Sequence, residues 1–266
     1  MLKKYFPFLR ASLINVFIYR GRILLWILVD IFRFVMMLFL WISVYKNNAS
    51  VNGFNLDEIL IYFSLVGVTS IFTFSEVQFD MSFEIRRGTI SYYLVKPIKY
   101  KTRLFFENLG SVTGSTIIIL PISLITMLLV ILVFDISFAI TLPQVLFFLA
   151  YIPLIMLFVF EYGFFFGNLM VYTKNNFGLS ILMGVMMRAL SGALIPLAFY
   201  PQFLLKVVNF LPFRYITHPV LIILDKVEQP EILIGMLAFV GWIAVFKLIN
   251  YVIYKISLKR MVIFGG

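Results

Sequence analysis

Cysteine is absent from this chain of 266 residues, which excludes disulfides, thiolate metal sites and a cysteine nucleophile. Histidine occurs once, at His218, just before Pro219. A pairing of His218 with Ser191 lacks any orienting third group, so a hydrolase centre is not supported. The expectation is that His218 satisfies a backbone group. Phosphate loops, HExxH helices and GxSxG elbows are missing as well, so no recognised motif binds ATP or builds an enzyme here. No metal site is expected. Charge is also scarce: only 13% of residues are charged, against about a quarter in soluble domains.

What is present is hydrophobic, at 62% of the sequence, and it comes in long runs. A run of ~20 apolar residues crosses ~30 Å of hydrocarbon as a helix. Spanning strands would show ~10-residue segments of alternating polarity, and none occur. The chain is therefore expected to be an all-α integral membrane protein forming one transmembrane domain over 1–266. The N-terminal segment lacks an apolar core and a small-residue cleavage site, so it is not read as a cleaved signal peptide.

Six spans are expected, at 23–45, 59–79, 104–134, 144–172, 178–197 and 232–256. Residues 1–22 mix Lys3, Lys4, Arg10 and Arg20 with Phe6, Leu9, Leu13 and Phe17 at helical spacing, the pattern of a helix lying in the membrane interface. Gly110, Gly114 and Pro121 in the third span, and Pro153, Gly163 and Gly167 in the fourth, mark kinks or close helix contacts. Pro196, Pro201, Pro212 and Pro219 interrupt an apolar stretch, so 199–224 reads as a re-entrant or interfacial hairpin of short helices on the outer side, forming an outer gate. Such backbone is tolerated at membrane depth only against protein or water.

The net charge of +10 fits this arrangement and needs no nucleic acid. With both termini inside, fifteen Lys and Arg lie on the inner side, four (Lys46, Lys206, Arg214, Lys226) outside, and Arg33, Arg188 and Lys247 within spans. The positive-inside rule then places both termini in the cytoplasm.

Ionisable residues inside a bilayer cost at least a few kcal/mol unless paired or hydrated. Asp30 and Arg33, three apart, can meet on one face of the first span. Glu76 and Asp80 end the second span and Glu107 opens the third. Glu161 and Arg188 are placed to pair across helices. These residues line a substrate path or form structural pairs; the sequence leaves both open.

The most informative segment is 84–98, Glu-Ile-Arg-Arg-Gly-Thr-Ile-Ser-Tyr-Tyr-Leu-Val-Lys-Pro-Ile, a basic break between two spans. Thr89 is placed to cap a short helix after Gly88, and Pro97 to end it. Ile90, Tyr93, Leu94 and Ile98 share one face of that helix.

This segment resembles the inner-loop motif of bacterial type-2 ATP-binding-cassette (ABC-2) exporter permeases, in the six-span subgroup with no fused ATPase. Leu190-Ser-Gly-Ala-Leu-Ile-Pro-Leu-Ala-Phe-Tyr-Pro201, Leu211-Pro-Phe213 and Pro219 are similar to that subgroup's fifth-span end and outer hairpin, and Arg260 with Gly265-Gly266 to its ending. The resemblance implies a permease in the bacterial cell membrane that pairs with an identical or sister permease and binds two copies of a separate ATPase. Residues 1–22 become the elbow helix and 84–98 the coupling helix. Glu84, Arg86, Arg87, Gly88, Thr89, Ile90, Tyr93 and Leu94 are then the ATPase-coupling residues. ATP and Mg belong to the partner, and this chain binds no cofactor and is not itself an enzyme. A secondary transporter is the alternative; it requires an inverted repeat, and none is visible.

Overall fold

The computed structural model describes residues 2–173 and 176–264. Lys174, Asn175 and the terminal Gly265-Gly266 lie outside the described residues. Every regular element among those residues is helical, apart from the isolated bridge between Val51 and Phe54.

A 3₁₀ turn at Leu2–Tyr5 leads into α1 (Phe6–Ile18), with Pro7 in its first turn, where a missing N–H costs nothing. Tyr19 leaves helical geometry and separates α1 from α2 (Arg20–Tyr45). A capping box opens α3 (Leu56–Ser70): Glu58 N donates to Asn55 Oδ1 at 2.8 Å, and Asn55 N donates to Glu58 Oε2 at 2.9 Å. Such a cap contributes about 1 kcal/mol. A 3₁₀ turn at Ile71–Thr73 and extended Phe74 then break the path before α4 (Val77–Arg86). Gly88, at φ +68°, turns the chain into α5 (Ile90–Leu94).

Next come α6 (Tyr100–Val133), α7 (Leu142–Met170) and α8 (Asn176–Ser191). The short α9 (Gln202–Phe210) and α10 (His218–Ile223) precede α11 (Gln229–Phe264). Pro121 sits within α6 and Pro153 within α7 without ending either helix.

Two glycine pairs decide how helices stack. A Cβ on Gly110 would fall 2.2 Å from the Leu9 carbonyl oxygen, and one on Gly114 2.9 Å from Val16 Cβ, so these glycines seat α1 directly on α6. On α7, a Cβ at Gly167 would reach 2.5 Å from Met81 Sδ and one at Gly163 3.1 Å from Ser75 Oγ, so this pair seats α4. Small residues four apart let backbones approach closely where no hydrophobic effect drives helices together. The broken α3–α4 path is the best-covered span, whereas α2 buries almost none of its surface.

Among the described residues, five of the six expected spans match helices long and apolar enough to cross a membrane: Ile23–Tyr45, Leu56–Arg86, Tyr100–Val133, Leu142–Met170 and Gln229–Leu258, while α8 is a shorter apolar helix. The second continues past 79 to Arg86 through its break, and the third starts at Tyr100 rather than 104. The expected fifth span, 178–197, stops at Ser191 because Gly192 adopts φ +89° with the Tyr62 hydroxyl and Leu197 packed against it. Tyr62 donates to Gly192 O at 3.0 Å, and the Thr217 hydroxyl donates to Ser191 O, which fixes the turn. At 16 residues, α8 is about 24 Å long.

The prolines of 196–219 act as starters. Pro201 precedes α9, Pro212 opens the 3₁₀ turn Pro212–Ile216, and Pro219 lies in the first turn of α10. Pro196, Pro212 and Pro219 are buried and Pro201 is exposed. The apolar surface that this region presents outward belongs to α9, through Phe203, Val207 and Phe210.

Candidate functional site

Four groups of charged residues stand out, two toward the basic end of the bundle, one on α2 and α8, and one at the opposite end. The first group is organised by Arg103, on the first turn of α6. Its Nη2 donates to both carboxylate oxygens of Glu84, at 2.6 and 2.7 Å, and its Nη1 donates to Glu107 Oε1 at 2.9 Å. The guanidinium lies 3.7 Å from the centroid of the Tyr93 ring, and the Tyr100 hydroxyl donates to Glu84 Oε2 at 2.7 Å. Only 2% of the Arg103 side chain is exposed. The planar fork of arginine suits this bidentate, stacked position, which a lysine cannot reproduce. Arg103 therefore joins the end of α4, the face of α5 and the start of α6.

That arrangement fixes the orientation of α5. Ile90 is buried, and Tyr93 and Leu94 pack against the cluster of Val77, Met81, Ile85, Tyr100, Leu104, Phe160 and Phe164. The face expected to enter a partner groove is thus folded onto the chain itself, because its apolar side chains find a core close by. Tyr92 and, just past the end of α5, Val95 are apolar or aromatic side chains turned outward, at 67% and 83% exposure. Thr89 does not cap α5 with its side chain; its hydroxyl donates to Glu84 O at 3.4 Å, and its backbone is already helical. Glu84 likewise belongs to the internal clamp. Arg86 and Arg87 are exposed, with the Arg87 guanidinium over Phe83, and Gly88 supplies the turn.

The second group ties three long helices. Lys101 Nζ donates to Glu161 Oε2 at 2.6 Å, and Asn250 Nδ2 donates to the same oxygen at 2.6 Å and to Glu161 O at 2.8 Å. Glu161 and Asn250 are buried. The expected pairing of Glu161 with Arg188 is therefore not what the fold makes. Glu161 meets Lys101 instead, in the first turn of α6.

The third group lies on α2 and α8. Arg33 Nη2 and Asp30 Oδ1 are 2.7 Å apart, as their spacing predicts, and their side chains remain 43% and 52% exposed. Arg188 on α8 is also exposed, forms no ion pair among the described residues, and lies within electrostatic reach of Arg33 and Asp30. Glu76 stands half-buried at the head of α4.

At the opposite end, Lys226 Nζ lies 2.6 Å from Glu58 Oε1 and donates to Gly53 O at 2.9 Å, clasping the α2–α3 turn to the start of the last span. His218 Nδ1 sits 2.8 Å from the Tyr151 hydroxyl, so its partner is a side chain and not the expected backbone group. Burial beside Arg214 lowers its pKa to about 4.

The fold and these sites define a multi-pass helical membrane protein. A family model described as ABC-2 family transporter protein matches residues 31–265. The chain belongs to that family, and is a transport permease of the ABC-2 type. A search of curated proteins returned no match.

Sequence reasoning missed Arg103, Lys101 and Asn250 as organisers, and Tyr92 and Val95 as the outward side of α5. One signal was available: Arg103 and Glu107 stand four apart on a helix, where opposite charges meet.

Proposed function

We propose that this chain is the membrane subunit of an ATP-driven exporter, pairing with a second permease and driven by two copies of a separate ATPase. The observation that carries this reading is the clamp on α5. A five-residue helix at the basic end, presenting Tyr92 and Val95 outward, is held rigidly to the bundle by Arg103 and Glu84. A partner that changes shape on ATP binding needs a stiff contact through which to move the spans, and different contacts in its two states. The chain itself performs no hydrolysis; ATP and Mg reside on the ATPase. Both termini lie in the cytoplasm of a bacterial cell, on the side of the basic residues, with the shorter α8 as the sixth crossing.

The docking anchor is the outward pair Tyr92 and Val95, with Arg86, Arg87 and Lys96 as the charged rim. Truncating a central anchor costs ~2 kcal/mol or more, whereas rim charges contribute less and weaken with salt. The segment 199–224 forms the re-entrant outer gate, meeting its counterpart through Phe203, Val207 and Phe210 of α9. The second permease covers α2 and α8, leaving a substrate path past Asp30, Arg33 and Arg188.

The test is co-purification with the ATPase. Tyr92→Ala with Val95→Ala should leave the chain folded, release the ATPase in detergent and abolish transport. Ser91→Ala should change little. Full retention of the ATPase by the double variant refutes docking through α5.

A further inference from the structure

Resting on the permease path proposed above, we propose that this path selects amphipathic substrates bearing an anionic group. Mid-span charge is the observation. With Ile23 and Asn176 at the inner membrane edge, as the proposed topology has them, 1.5 Å per residue puts Arg33 about 15 Å along α2 and Arg188 about 18 Å along α8, both near mid-membrane. Asp30 neutralises one of these two arginines, through the 2.7 Å pair with Arg33. Arg188 has no ion-pair partner among the described residues.

Other acidic residues of the spans are committed elsewhere. Glu107 and Glu84 hold Arg103, and Glu161 holds Lys101. Glu76 stands at the head of α4 and Asp80 lies in its first turn, and each has interactions of its own. Each chain therefore brings one uncompensated cation to the middle of this face, and a path between two like chains brings two.

An arginine facing lipid at that depth costs about 3 kcal/mol on insertion scales. The face is thus turned toward protein or water, where the same charge becomes an attraction for an anion. Apolar side chains flank it: Trp26 stands one turn before Asp30, and Ile181 and Val185 precede Arg188, all exposed. A cation set in apolar walls fits a molecule with a hydrophobic body and an acidic group. Clefts of one sign with low-dielectric walls concentrate counter-ions, by tenfold or more.

Because the chain contains no cysteine, Val185→Cys supplies a single thiol beside Arg188 at an exposed position. Lipid particles holding the full chain are treated with two methanethiosulfonates, one bearing a sulfonate and one a trimethylammonium. Each rate is referred to that reagent's rate with a free thiol. The sulfonate should react about tenfold faster. Arg188→Gln should bring the ratio close to one, and Arg188→Lys should preserve it. Tetraphenylborate should slow the labelling, while tetraphenylphosphonium, of the same shape and opposite charge, should not. Equal rates with Arg188 in place, or a preference that survives Arg188→Gln, overturn anion selection while leaving a hydrated path intact. If neither reagent reaches the thiol, no such path exists on this face and both readings fall.

Discussion

The guanidinium of Arg103 rests 3.7 Å from the centre of the Tyr93 ring, while its fork holds the carboxylate of Glu84. One side chain thereby connects a five-residue helix at the membrane surface to a helix of 34 residues. Two carboxylates, Glu84 and Glu107, depend on this single buried cation.

Removing Arg103 should therefore be severe. Breaking a buried pair by deleting one partner costs about 3–5 kcal/mol, because the remaining charge is left uncompensated. Arg103→Met should lower the thermal midpoint of the purified chain by several degrees and reduce its yield. Arg103→Lys should fall between, keeping the charge but losing the fork and the stacking on Tyr93. A midpoint unchanged in Arg103→Met contradicts the clamp.

Gly110→Ala tests the seat of α1. Its Cβ would stand 2.2 Å from the Leu9 carbonyl, a backbone atom that cannot swing aside. Overpacking of this kind costs about 1–3 kcal/mol. Limited proteolysis in the linker around Tyr19 should accelerate, and the thermal midpoint should drop. Gly241→Ala is the control, since nothing lies within 4 Å of its added Cβ. It should be neutral or stabilising by up to ~1 kcal/mol. Equal behaviour of the two variants means α1 is not held by close approach.

The cysteine-free background also tests orientation. Single cysteines at Asn48 or Asp225, both exposed, should react with an impermeant thiol reagent added outside intact cells. A cysteine at Lys96 should react only after the membrane is opened. Labelling of Lys96→Cys from outside, with silence at the other two positions, inverts the proposed topology.

Much of this architecture was legible in the sequence because membrane helices announce themselves by length. The spans that became α2, α6, α7 and α11, the N-terminal helix α1, the basic break and the run of short helices after Gly192 all follow from apolar runs and their interruptions. The pairing of Asp30 with Arg33 followed from helical spacing alone. Harder to read was anything that depended on which element lies alongside which. A five-residue helix has two faces of similar composition, and only the position of Arg103 and the Ile85–Leu104 core decides that Tyr93 turns inward and Tyr92 outward. Glu161 found Lys101 because α6 begins four residues early, a boundary that composition leaves vague. The end of α8 at Ser191 depends on Gly192 meeting Tyr62 from a distant helix, which no local pattern records.

The interruption at Phe74–Glu76 has a mechanical meaning. An unbroken rod would carry torque from the membrane surface straight through to the far side. Here the lower segment, α4, is keyed to α7 by Gly163 and Gly167, whereas the upper segment, α3, packs in a different cluster. The two segments therefore rest on different neighbours, and no continuous helix joins Glu84 to α3.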